Sequence, residues 1–175
     1  MKIAITGSTN GLGGAFSSLM EQHGHEIIGF NRSNGYDIID AREQIVQQAS
    51  DCDIFVNNAW SDIDIMAQTN LFLKMYDQWK FTDKTIVNIN SKTHYGNTAR
   101  PYSRGKKMLH REAFLAMNHP DRECRLINIT PGYVDTDRVK SVEDSTKLSR
   151  EEVAGYIKWA LEQPVEIGEL SFWRD

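Results

Sequence analysis

Short apolar runs of four to six residues alternate along the chain with longer stretches in which apolar residues recur every three or four positions. Lys2–Thr6 is such a run, and it ends in glycine-rich punctuation, as a buried strand does. Gly14–Gln22 carries Phe16, Leu19 and Met20 at helical spacing, with Gly24 placed to end the helix. Glu26–Phe30 reads as a second strand and Tyr36–Ile39 as a third, very short one. Ala41–Ala49 is helical, Asp53–Asn57 is a strand, and Met66–Trp79 is a helix with Met66, Thr69, Leu73 and Tyr76 on one side. Thr85–Asn90 is a β-branched strand, Tyr102–Met117 a long helix ended by Pro120, and Arg125–Thr130 a strand stopped by Pro131 and Gly132. Glu151–Glu162 and Glu169–Phe172 complete the series as a helix and a last strand.

Strands that are apolar throughout, rather than alternating, are buried on both faces. The pattern therefore predicts an α/β fold, a doubly wound parallel sheet with helices on both sides. Only about five residues separate the second strand from Asp37, whereas a parallel crossover needs about a dozen. The helix between strands two and three is therefore missing and strand three is vestigial, which gives the expected order 2-1-4-5-6-7. Nothing resembles a linker or a repeat, so residues 1–175 read as one domain.

Composition narrows the partners. The chain is 40% hydrophobic and 25% charged, and its 20 basic and 24 acidic residues give a net charge of −4. That balance offers no electrostatic footprint for nucleic acid. No apolar run approaches the ~20 residues of a membrane span. Cys52 and Cys124 stand far apart without a CxxC partner and read as reduced thiols of a cytoplasmic protein. His94, His110 and His119 lack metal-ligand spacing and read as surface or loop residues; no metal is expected.

The chemistry begins at Thr6-Gly7-Ser8-Thr9-Asn10-Gly11-Leu12-Gly13, between a predicted strand and a predicted helix. Gly7 allows the tight turn, Gly11 lets backbone approach a pyrophosphate, and Gly13 permits close helix–strand packing. The helix N-terminus adds free N–H groups and a favourable dipole. Roughly 20 residues on, where NAD-binding folds place a carboxylate, the chain reads Phe30-Asn31-Arg32-Ser33. No acid repels a 2′-phosphate there, and the Arg32 guanidinium can hold one, which favours NADP(H) over NAD(H). Further on, Tyr102 and Lys106 stand at i and i+4, on one face of a helix. A neighbouring ammonium favours phenolate, which suits proton exchange with a carbonyl or alcohol oxygen near neutral pH.

The T-G-x-x-x-G-x-G spacing, Asn57-Asn58-Ala59 after an apolar strand, Ser91 at a strand end, Tyr102-Ser103-Arg104-Gly105-Lys106 and Pro131-Gly132-Tyr133-Val134-Asp135-Thr136 occur in order. Together they resemble the short-chain dehydrogenase/reductase family, of which this would be an unusually short member. The resemblance covers nearly the whole chain and implies a Rossmann fold. It implies Ser91, Tyr102, Lys106 and Asn70 as the catalytic set, with Ser91 orienting the substrate oxygen and Asn70 holding a relay water. Lys106 would also bind the nicotinamide ribose. It adds Asp37 and Ile38 as adenine contacts, Asn58 and Ala59 beside the adenosine, and Pro131, Gly132, Val134 and Thr136 around the nicotinamide. Thr9, Asn10, Leu12 and Asn31 complete the cofactor set.

The chain departs from the pattern at Trp60, which stands where the family has glycine. Trp60, His94, Tyr95 and Tyr133 are candidate substrate-pocket walls. The implied activity is an NADPH-dependent oxidoreductase acting on a small carbonyl or alcohol substrate, assembled as a homodimer or homotetramer. Two alternatives stand beside it: a non-catalytic NADP(H)-binding regulatory or partner module, and a sugar-nucleotide reductase or epimerase.

Overall fold

The structure is a computed structural model and describes residues 1–96 and 99–174. Its strands are β1 (Lys2–Thr6), β2 (Glu26–Phe30), β3 (Ile54–Asn57), β4 (Thr85–Ile89), β5 (Arg125–Pro131) and β6 (Glu169–Phe172). They form one parallel sheet in the order β2-β1-β3-β4-β5-β6. This is the topology expected from the sequence once strand three is removed. The main helices are α1 (Gly11–Gln22), α2 (Arg42–Gln48), α3 (Ala67–Trp79), α4 (Pro101–Met117) and α5 (Arg150–Glu162).

Burial on both faces explains the unbroken apolar strands. On one side Ala4, Phe55, Ile86 and Leu126 pack against Ile45, Leu71, Phe72, Trp79 and Leu109 of α2, α3 and α4. On the other, Ile3, Ile5, Val56, Val87 and Ile127 meet Phe16 and Met20 of α1 and Val153 and Ile157 of α5. Cys52 and Cys124 are free and buried. Among the described residues no helix is long and apolar enough to cross a membrane.

Residues 36–39, expected as a short strand, form none. Their backbone is committed to turns instead. Tyr36 N donates to Asn31 O at 2.9 Å, and Ala41 N to Asp37 O at 2.8 Å. Gly35 adopts φ 88°. Tyr36 packs edge-on against Phe30, with centroids 5.1 Å apart, and Ile38 is buried in the core. The segment therefore packs onto the core without pairing in the sheet.

The turn after β1 is where the fold begins to shape a site. Gly7 and Gly11 have φ of 72° and 58°, a region L side chains rarely adopt. Gly13 is limited by space instead: a Cβ there would lie 2.0 Å from Gly7 O and 2.7 Å from Asn58 Nδ2. Gly13→Ala is thus expected to lower stability by about 1–3 kcal/mol through overpacking. A urea unfolding midpoint equal to that of the wild type would contradict this contact.

Candidate active site

The carboxyl ends of the strands open into a cavity of about 880 Å³. This is where doubly wound sheets bind their ligands. It is lined by the turn, with Asn10, Gly11 and Leu12, and by Pro131, Gly132, Tyr133, Val134 and Thr136. Asn10 caps α1 without a side-chain hydrogen bond, so the first N–H groups of that helix remain available to a ligand. Asn58 joins the turn to the next strand: its Nδ2 donates to Thr6 O at 3.0 Å and to Gly7 O at 3.3 Å. The backbone N–H groups of Asn58 and Ala59 both donate to Thr6 Oγ1, at 3.0 and 2.9 Å.

The base of the cavity is built from β4, α3 and α4. The Asn90 carboxamide oxygen accepts from Ser91 N at 3.1 Å, and the buried Asn90 Nδ2, which has no protein partner, belongs to a residue that lines the cavity. Ser91 then caps a short 3₁₀ turn, Lys92–Tyr95, accepting from Thr93 N at 3.4 Å. Pro101 starts α4, where a missing N–H costs nothing. The next turn carries Tyr102 and Lys106 side by side. Ser91 and Tyr102 both line the cavity.

Lys106 is 2% exposed, and its Nζ donates to Gln68 Oε1 at 2.8 Å and Ile89 O at 2.7 Å. Gln68 is itself fixed: its Nε2 donates to Asn57 O at 2.8 Å and Ile89 O at 3.2 Å. The resemblance implies that Asn70, in the same helix, holds a relay water. Gln68, two residues before it, is the α3 side chain that accepts from Lys106. Gln68 is buried in the first turn of α3, and no local sequence pattern pairs it with Lys106.

Burial pushes the Lys106 pKa down from 10.5 to about 7, with the Arg138 cation adding to the effect. Tyr102 departs from the expected lowering. Burial raises its pKa, opposed by the Ser91 hydroxyl and by Arg138. The phenol is therefore protonated at neutral pH.

Trp60 walls the cavity as expected. Its ring lies edge-on to Tyr102 with centroids 4.9 Å apart, and Lys106 Nζ lies 5.5 Å from both rings. Gly105 makes room for it, since a Cβ there would lie 2.3 Å from Trp60 Cη2 and 2.6 Å from Ile65 O. Trp60 Nε1 donates to Asp62 Oδ1 at 2.9 Å, and Arg138 holds the same carboxylate through both Nη atoms at 2.9 and 3.1 Å. The Arg138 guanidinium lies 5.1 Å from the Tyr102 ring centroid. The loop after Thr136, which lines the cavity, is thus tied to Asp62, and its far end is tied by Leu148 N, which donates to Tyr133 O at 2.8 Å. Residues 62 and 138 are too far apart in sequence for any local pattern to pair them.

Other expected residues fall elsewhere. His94 and Tyr95 do not line the cavity. His94 is 4% exposed and packs on His110, while the Tyr95 hydroxyl donates to Glu169. The chain turns away after Ser91, because His94 Nδ1 bonds back to Ser91 O at 2.8 Å. Ile38 is a core residue, and Asp37 Oδ1 accepts from its own turn at Ile39 N, 2.8 Å. Arg32 is exposed just beyond β2 in a 3₁₀ turn, and Asn31 Nδ2 donates to Ser8 Oγ at 2.9 Å. Thr9 is exposed at the tip of the glycine turn.

No protein-family model and no curated protein sequence matches the chain. Solved structures do. An alcohol dehydrogenase from the archaeon Thermococcus sibiricus, complexed with 5-hydroxy-NADP, superposes with TM-score 0.77 at 19% identity, over 99% of this chain and 96% of that one. A short-chain dehydrogenase from Burkholderia cenocepacia J2315 in complex with NADP gives TM-score 0.80 at 17% identity, over 98% and 87%. A Serratia marcescens short-chain dehydrogenase/reductase gives 0.76 at 17%, over 98% and 95%. The chain therefore has the fold of the short-chain dehydrogenases/reductases.

The depressed Lys106 pKa carries a stability signature. Above about pH 7 the folded chain releases this proton while the unfolded chain keeps it up to 10.5. The residue's contribution is therefore greatest above the unfolded pKa and is lost as pH falls toward the folded one. Between roughly pH 7 and 9, Lys106 should raise stability by up to about 1.4 kcal/mol per pH unit. Urea unfolding of Lys106→Met should show that much less rise; an unchanged slope would contradict the buried lysine.

Proposed function

We propose that the protein is an NADP(H)-dependent oxidoreductase that interconverts a carbonyl and an alcohol on a small substrate. The observation that carries this reading is Tyr102 beside the buried Lys106, with Ser91 lining the same cavity, which also takes in the N-terminus of α1, where no side chain caps the helix. Gly11, Leu12, Asn58, Val134 and Thr136 would hold the cofactor, and the unpaired Asn90 Nδ2 offers a buried donor in the same cavity. Arg32, exposed beyond β2, would take the 2′-phosphate as a bidentate partner. The NADP named in the two neighbouring complexes supports the same choice. Bound there, the cofactor supplies a hydride to a carbonyl carbon or accepts one from an alcohol.

The chain's own residues account for the proton. Tyr102, kept protonated by burial, gives its hydroxyl proton to the substrate oxygen in reduction. Ser91 Oγ holds that oxygen beside the phenol. Lys106 and Arg138 stabilise the phenolate left behind, and Gln68 fixes Lys106 in place. The Trp60–Asp62–Arg138 link holds the loop that lines the cavity and reduces access of water to the reacting oxygen.

Oxidation of NADPH, followed by absorbance across a panel of aldehydes and ketones, tests this reading. Turnover is expected, and Tyr102→Phe should lower kcat by ~100- to 10,000-fold while still binding NADPH. Cofactor binding without turnover on any carbonyl would overturn the enzymatic reading and favour a regulatory module.

A further inference from the structure

Glu169 opens β6, the edge strand, and its carboxylate is held from several directions. Oε1 accepts from the Tyr95 hydroxyl at 2.8 Å, from Thr130 Oγ1 at 3.0 Å and from Ser171 Oγ at 3.1 Å. Burial pushes its pKa up, but the bonds from Tyr95, His110 and Thr130 outweigh that and leave it below the usual carboxylate range. Oε2 faces His110 Nε2 at 3.2 Å. The His110 ring is stacked on that of His94, with centroids 4.0 Å apart and planes 20° apart. One nitrogen from each imidazole and one Glu169 oxygen all lie within 4.8 Å of one another.

His94 supplies the independent observation. A carbonyl oxygen can only accept, so the 2.8 Å contact with Ser91 O makes Nδ1 the protonated nitrogen. Nε2 is then left with a free lone pair. It is buried and has no hydrogen-bond partner, in a residue 4% exposed. An unpaired buried acceptor is costly. An imidazole whose second nitrogen donates to a backbone carbonyl is also the arrangement that orients a metal-ligating histidine. Burial and the neighbouring His110 keep His94 neutral, the form that ligates.

We propose that His94, His110 and Glu169 form a site for one divalent transition-metal ion of the zinc class, separate from the cofactor cavity. Two imidazoles and a carboxylate suit such an ion, with water in the fourth position. Bond lengths of about 2.1 Å place tetrahedral ligands roughly 3.4 Å apart, so a pair at the 4.8 Å limit closes by about 1.4 Å. Side-chain rotation supplies that movement, and His110 ligates as the neutral Nδ1–H tautomer, its proton moving from Nε2 to Nδ1 through solvent. Tyr95, Thr130 and Ser171 orient the carboxylate from behind. The ion would tie edge strand β6 to α4 and, through His94, to the Ser91 carbonyl.

The test is titration of the full chain with Zn²⁺ by calorimetry and thermal unfolding, and with Co²⁺ by visible absorption. One equivalent should bind, raise Tm, and give the intense d–d bands of four-coordinate Co²⁺. His110→Ala and Glu169→Gln should each weaken binding by more than ~100-fold, and Tyr95→Phe by ~10–100-fold. The Co²⁺ spectrum needs no variant, so it decides even if one of these misfolds. No saturable binding, a weak six-coordinate spectrum, or wild-type affinity in both folded ligand variants would overturn the site. So would binding lost instead in His25→Ala, where the Met1 amine and His25 Nδ1 lie 3.4 Å apart.

Discussion

An ammonium group removed from water costs several kcal/mol unless its surroundings replace the lost solvation. The site is arranged around meeting that condition at Lys106. Two carbonyl-type oxygens, Gln68 Oε1 and Ile89 O, accept from Nζ, and the rings of Trp60 and Tyr102 lie 5.5 Å away. Each partner imposes a further requirement. Trp60 can sit there only because residue 105 has no Cβ. Gln68 can reach only because its amide is bonded to Asn57 O and Ile89 O, at the ends of β3 and β4. Even so the ammonium is under-solvated, and its pKa falls to about 7.

The strand ends that position these groups are held by buried asparagines. Asn57, Asn88 and Asn128 stand in register on β3, β4 and β5 and are fully buried. Asn57 Nδ2 donates to Asn88 Oδ1 at 3.0 Å, and Asn88 Nδ2 to Asn128 Oδ1 at 3.3 Å. Asn57 Nδ2 also donates to Gln68 O at 3.0 Å, which anchors the first turn of α3. A slip of one residue would break every one of these bonds and expose the carboxamides to apolar surroundings. The ladder therefore fixes the register of the central strands, and with it the spacing of Ser91, Lys106 and the glycine turn.

Local chemistry was legible in the sequence, and long-range pairing was not. Apolar runs and the strand–helix alternation are local signals, so the six strands and their order could be read, while the short strand expected at 36–39 does not form. The glycine turn, Ser91, Tyr102, Lys106 and the aromatic wall at Trp60 could be read as well. Tyr102 illustrates the limit: a nearby lysine suggested a lowered pKa, but burial, which depends on packing, outweighs it. Gln68 holds Lys106 across 38 residues of sequence, a pairing that no local pattern encodes. The Asp62–Arg138 pair and the asparagine ladder join distant residues, and no periodicity encodes them. His94, His110 and Glu169 come from a turn, a helix and an edge strand, so their convergence has no spacing to betray it.

Cofactor binding tests the account most directly. Titration of the purified protein with NADPH and with NADH, followed by nicotinamide fluorescence and by quenching of tryptophan emission, is the decisive measurement. Saturation by one equivalent of NADPH, tighter than by NADH, is the predicted result, with energy transfer from Trp60 at the cavity wall. Failure of both dinucleotides to bind would mean that the cavity beside Tyr102 and Lys106 serves another purpose, and the catalytic reading would fall with it.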